Sequence, residues 1–166
     1  MPDSWLNETE HTACFTGHRD LPADIIPRVK SGLASVIANV AKEGYDRFIC
    51  GGALGFDTLA AQAVLEYRKT HNNVQLLIAV PCETQSNGWS SKDKEIYRQI
   101  ISEANEVRVL AEKYTRGCMQ TRNMFMVDRS SLCIAWLTSM DGGGTMNTVK
   151  YALRQSVRVI NVAMEK

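Results

Sequence analysis

The sequence predicts an α/β protein: a single Rossmann-like, doubly wound domain, with a mostly parallel sheet of about six strands and helices on both faces. Three observations carry this. Six short apolar runs alternate with longer segments whose apolar residues recur at helical spacing. Each crossover is long enough to hold a helix, as parallel neighbours require. The 166 residues suit one domain and contain no repeat, linker or low-complexity tract.

The elements follow in order. Thr12 to Thr16 is the first strand, stopped by Gly17. After Pro22 a helix is expected, because Ile25, Ile26, Val29, Leu33, Val36, Ile37 and Val40 share a face; Pro27 either belongs to its first turns or divides a short lead-in from the main helix, and Gly44 ends it. Arg47 to Cys50 is the second strand, leading through Gly51-Gly52-Ala53-Leu54-Gly55 into a helix from about Phe56 to Lys69. Val74 to Val80 is almost continuously apolar, as a strand covered on both faces should be. Pro81 closes it, and a polar loop precedes a helix from about Ser91 to Ala104. Val107 to Leu110 is the fourth strand, Tyr114 to Cys118 a loop, and Met119 to Asp128 a helix. Leu132 to Leu137 is the fifth strand, broken at Asp141 to Thr145; a helix through Tyr151 and Leu153 precedes the sixth, Val157 to Val162.

Composition narrows the function classes. Nineteen Lys and Arg against 18 Asp and Glu give a net charge of +1, which offers no footprint for duplex DNA or an anionic membrane. No run approaches the roughly 18 apolar residues of a membrane helix. The polar start, residues 1–10, reads as a flexible extension rather than a signal segment. Five cysteines with no CxxC pair suit neither a disulfide framework nor a metal site. The expected compartment is cytoplasmic, with no metal and no cofactor.

In open parallel sheets, ligands bind beyond the carboxyl ends of the strands. Here those ends carry Gly17-His18-Arg19, Gly51 to Asp57, Pro81-Cys82, and Asp141 to Thr145. Glycines let the backbone approach a phosphate, and the helix that follows offers free N–H groups. Gly51-Gly52-Ala53-Leu54-Gly55 and Gly142-Gly143-Gly144-Thr145 both have that form, and together they predict a phosphate or diphosphate cradle. Neither is followed by Gly-Lys-Ser/Thr, and neither has the GxGxxG spacing. Asp57 stands where it could accept ribose hydroxyls or merely complement a helix dipole. Arg19 and Arg122 could supply fixed positive charge, and His18 sits in the same exit loop. Trp89 either stacks on a base or plugs the loop beneath it.

The motifs Thr16-Gly17-His18-Arg19, Gly51 to Asp57, Tyr114 to Gln120, Arg122-Asn123 with Met126-Val127-Asp128, and Gly142 to Val149 resemble the YpsA/YoqJ-like branch of the SLOG superfamily. Pro81 to Gln85 followed by Trp89 is similar to that branch's third strand exit. The resemblance covers Thr12 to Val162. It implies a pocket for nucleotide-derived ligands lined by the residues above, with Asn147 added; Arg116, where the family usually has another residue, is a further ligand-binding candidate whose charge is particular to this chain. It also implies a homodimer.

The superfamily includes LOG-type enzymes, which cleave nucleoside monophosphates with a helical Arg and a Glu three positions after a Gly-Thr pair. Arg122 resembles that Arg, but Thr148 stands at the Glu position, so no catalytic residue is assigned. The leading expectation is therefore a sensor or sequestering protein for a nucleotide-derived small molecule, ADP-ribose-like or a nucleoside phosphate. The alternative is a glycosidic or phosphoribosyl hydrolase using Asp57, Asp128 or Glu83; Cys82 lacks a neighbouring His to activate it. The superfamily also includes DprA, which binds single-stranded DNA. Net charge +1 and few aromatics place nucleic acid last.

Overall fold

The apolar runs become six strands: β1 (Thr12–Gly17), β2 (Arg47–Cys50), β3 (Gln75–Val80), β4 (Glu106–Val109), β5 (Leu132–Trp136) and β6 (Arg158–Asn161). The computed structural model describes residues 3–138 and 142–164; Asp141, at the head of the expected glycine-rich β5 exit, lies outside the described residues. All five pairings are parallel, in the order β4-β3-β2-β1-β5-β6. The order therefore runs outward from β1 to β4, then reverses to place β5 on the other side of β1. That reversal point lies between the exits of β1 and β5.

Helices cover both faces, as expected. On one side lie α2 (Ile26–Lys42), α3 (Phe56–Arg68) and α4 (Ser91–Glu103). Their apolar stripes, including Leu33 and Ile37 of α2 and Ala60 and Val64 of α3, bury against Phe15, Phe48, Ile78 and Ile134. Pro27 sits in the first turn of α2, where a missing N–H breaks no helical bond. Ser90 caps α4 by accepting from Asp93 N–H at 3.1 Å. On the other side lie α5 (Cys118–Asp128), α6 (Gly144–Arg154) and the short α1 (Ser4–Asn7). They cover Cys14, Ile49, Leu77 and Cys133, the residues that alternate with those of the first face. Leu76 to Val80 is buried throughout, which explains its unbroken apolar run. All five cysteines are buried and free. Among the described residues, no helix is long and apolar enough to cross a membrane.

One expectation fails at the start of the chain. The described part of residues 1–10 is docked, not a flexible extension. Trp5 is fully buried against Leu77, Ala79 and Met126. Its indole N–H donates to Glu106, and Phe125 meets it edge-on at 5.8 Å. Asp3 joins Arg108 at 2.6 Å and Arg129 at 2.8 Å. Burial works to raise the Asp3 carboxyl, but the bonds from Arg108 and Arg129 outweigh it and hold its pKa at about 2. β4 is an edge strand with half-buried and exposed residues, so its apolar pattern is weak and its start falls one residue early.

Candidate functional site

A cleft of about 760 Å³ opens at the exits of β1 and β5. This is the reversal point of the strand order, where open α/β sheets bind ligands. A larger groove, about 840 Å³, follows α2 and β6 and shares no lining residue with it. Of the two, the cleft is the one that gathers the exits of β1 and β5.

The first wall is the β1 exit. Gly17 packs so closely on Phe56 that a side chain would overlap the ring. His18 carbonyl accepts from Phe56 N–H at 3.1 Å, which spends one of the free amides at the start of α3. Gly55 then lies against the backbone of Arg19, leaving no room for a Cβ. Arg19 is exposed and lines the cleft.

The two glycine loops, so alike in sequence, have different surroundings. Around Gly51 the space is filled. Arg122 donates from Nη1 to the Gly51 carbonyl, and Asp57 accepts from Ala53 N–H at 3.3 Å. A Cβ on Gly51 would stand 2.5 Å from Arg122 Nη1 and 2.7 Å from Asp57 Oδ2, so only glycine fits between them. Gln85 also reaches the Gly51 carbonyl, at 3.4 Å. Of Gly51 to Gly55, only Ala53 lines the cleft. Gly142, Gly143 and Gly144 are exposed instead, and among the described residues a Cβ on any of them meets nothing within 4 Å. Gly143 caps α6 at φ 97° and ψ 175°, a region that side chains avoid, and offers no capping side chain. Among the described residues, no side chain caps the first turn of α6, which leaves its amides as donors of the kind that bind anions.

Arg122 connects the two regions. It is 4% exposed and held by Gly51, by the Ala79 carbonyl at 3.4 Å and by Asn123 Oδ1 at 2.9 Å from Nε. Those bonds use Nε and Nη1. Among the described residues Nη2 makes none, and Arg122 lines the cleft, so this donor is offered to a ligand. Burial pushes the Arg122 pKa down, with the Asp57 carboxylate opposing that shift. Burial raises Asp57 in turn, opposed chiefly by Arg122. An arginine remains charged throughout.

Of the remaining expected residues, His18, Asp57 and Thr145 line the cleft, whereas Pro81, Cys82, Trp89, Arg116 and Asn147 do not. Cys82 is buried beside Thr84 at 3.6 Å. Trp89 lies edge-on to Tyr97 at 5.3 Å, and Arg116 and Asn147 are exposed on neighbouring turns. Sequence reasoning missed Tyr114, 65% exposed at the rim, and Asn123, which braces Arg122. An aromatic in a polar loop was the available signal for Tyr114. Among the carboxylates considered for hydrolysis, only Asp57 lines the cleft. The Thr148 hydroxyl is turned back to the Gly144 carbonyl at 2.8 Å.

The sequence pattern of the YspA SLOG family matches residues 17–161. The chain belongs to the YspA SLOG family. The SPbeta prophage-derived protein YoqJ of Bacillus subtilis is 34% identical to this SLOG chain over 140 residues, 75% of the chain and 80% of YoqJ. A UPF0398 protein of Halalkalibacterium halodurans is 27% identical over 107 residues, 63% of the chain and 57% of its own length. Among solved structures, DNA processing protein A of Helicobacter pylori, described for its single-stranded DNA binding mode, superposes with a TM-score of 0.68 at 19% identity. The match covers 95% of the SLOG chain and 67% of that protein. DNA processing protein A of Streptococcus pneumoniae gives 0.66 at 17% identity, covering 93% of the SLOG chain and 50% of its own. At such identities the likeness is one of fold.

These neighbours overturn the order in which the sequence ranks functions. A sensor of a nucleotide-derived small molecule stands first in that order, a hydrolase second and nucleic acid last. The shared fold is that of DNA processing protein A, so the low rank of nucleic acid as a partner is withdrawn, along with the first place of the small molecule. The physical reason is that a net charge of +1 averages over the whole surface. It says nothing about Arg19 and Arg122 converging on one cleft.

Proposed function

We propose that this chain binds single-stranded DNA across the β1–β5 cleft, holding the sugar-phosphate backbone there. The observation that carries the reading is the Nη2 donor of buried Arg122 in the same cleft as the first-turn amides of α6. Two oxygens of one phosphate would take these two kinds of donor, with Arg19 adding exposed charge at the rim. Tyr114 offers the flat apolar surface on which an unpaired base stacks. The fold shared with a protein described as binding single-stranded DNA supports the same reading. The chain spans only 67% and 50% of the two DNA processing proteins, so their other activities are not carried over.

The test is fluorescence anisotropy with labelled oligothymidylate. Few phosphates touch so small a cleft, so we expect a Kd of roughly 1 to 100 µM at low salt. Each contacted phosphate should add about 0.7 to the slope of log affinity against log salt. Arg19→Ala should weaken binding while leaving the melting temperature nearly unchanged, and Gly143→Asp should weaken binding per folded molecule. No rise in anisotropy at low salt, or binding indifferent to both substitutions, overturns the reading.

A further inference from the structure

The cleft carries less net charge than its two arginines suggest. Asp20 stands next to Arg19 on the exposed rim. Deeper in, Arg122 faces Asp57 across Gly51. The first turn of α6 adds the equivalent of about half a positive charge. Of the Arg122 donors, Nε and Nη1 are already bonded, which leaves Nη2.

Asp57 offsets part of the charge of buried Arg122 and also brings its own field to the cleft that it lines. Its carboxylate accepts from Ala53 N–H, a bond that an amide oxygen would accept equally. Being 7% exposed, the carboxylate also acts through little screening water. A site of this kind suits a single negative charge presented on two oxygens. A second charge, on a third oxygen, meets the field of Asp57.

We infer that Asp57 makes the cleft selective for the singly charged phosphodiester inside a nucleic-acid strand over the doubly charged phosphate of a strand end or a mononucleotide. This rests on the reading of the cleft as a strand-binding site, and it makes Asp57 a selectivity residue acting through Arg122. It also gives a physical reason for the small phosphomonoester to be the poorer ligand.

The minimal comparison is thymidylyl-thymidine, with one diester, against thymidine 5′-monophosphate, titrated into the full chain by NMR on the Gly144 and Thr145 amides. At about pH 8 the wild type should prefer the diester by about tenfold or more, the monoester then carrying its second charge. Asp57→Asn should reduce the preference to within about threefold, by tightening the monoester. A second arm needs no substitution. Lowering the pH to about 5 removes the monoester's second charge, whose pKa is about 6, and should bring the two ligands together in the wild type. Arg122, Arg19 and Cys50 face Asp57, and His18 lies at the rim. The ratio of the two affinities is the readout.

Equal binding of the two ligands by the wild type at the higher pH, or an unchanged ratio in a folded Asp57→Asn, overturns the inference. If Asp57→Asn does not fold, a wild-type ratio that ignores pH overturns it. Longer oligothymidylate separates the two readings. Failure of the oligomer to bind overturns strand binding and selectivity together, whereas an oligomer that binds without discrimination between the small ligands overturns selectivity alone.

Discussion

His18 Nε2 accepts a hydrogen bond from Thr138 N–H at 3.1 Å, while the carbonyl of the same residue accepts from Phe56 N–H. One side chain therefore fastens the β5 exit to the β1 exit, and one backbone group fastens the β1 exit to α3. Asn161 completes the bracing, exchanging hydrogen bonds with the Leu137 backbone at 3.0 and 2.9 Å. The geometry of the cleft mouth depends on these few bonds. His18→Ala should cost about 0.5–1.5 kcal/mol of stability and release the Thr138 amide to hydrogen exchange. A Thr138 amide that stays as protected as in the wild type would show that the imidazole does not hold this loop.

The two glycine loops should respond to alanine for different reasons. Gly51→Ala forces a Cβ between Arg122 and Asp57, two side chains held from several directions, and should cost about 1–3 kcal/mol or more. Gly143→Ala meets empty space but an unfavourable backbone region, costing about 1–3 kcal/mol or shifting the start of α6. Denaturant unfolding measures both. DNA affinity per folded molecule should fall in both, in Gly51→Ala through displaced Arg122. An unaltered Arg122 side-chain resonance in Gly51→Ala would contradict the clamp.

The N-terminal segment should prove integral to stability. Trp5→Ala removes a fully buried indole and should cost about 3–5 kcal/mol, read by denaturant unfolding. Asp3 adds a pH signature. Its carboxyl is held at about 2, below the ordinary 3.8, so its contribution is complete above 3.8 and disappears as pH falls through about 2. Asp3→Asn should flatten the pH dependence of stability in that window, and an identical slope with and without the carboxylate would refute the lock.

Arg19 and Arg116, both candidates from the sequence, should differ in effect. Arg19 lines the cleft and Arg116 does not. Arg19→Ala should lower the salt slope of DNA binding by about 0.7, the share of one phosphate on a single strand, with Arg116→Ala changing it less. A larger loss from Arg116→Ala would move the strand's path onto the loop before α5.

The sheet was legible because each strand is built from consecutive residues with a strong local pattern. Leu76 to Val80 is apolar without a break because both of its faces are covered. β4 was the least well placed because an edge strand half in water carries a diluted version of that pattern. The docking of Trp5 left no local trace, since its partners Glu106 and Phe125 and the anchors of Asp3, Arg108 and Arg129, are a hundred or more residues away along the chain. The candidate site was legible as a set of strand exits, including Gly17 to Arg19 and Gly142 to Thr145. Tyr114 and Thr138 came to the cleft through the path of loops that follow no repeating pattern.

The sequence by itself determined the alternating elements and the edge of the sheet that carries the polar exits, because both arise from short-range periodicity and turn chemistry. Only the tertiary structure decided that β1 and β5 are neighbours, that the Gly51 loop is filled, and that the Gly142 loop is open. The cause is Arg122, which sits on a helix 71 residues from Gly51 and spends its donors on that loop before offering one to the cleft. Two glycine runs of similar composition acquire opposite roles because a side chain from far along the chain fills the space beside one of them.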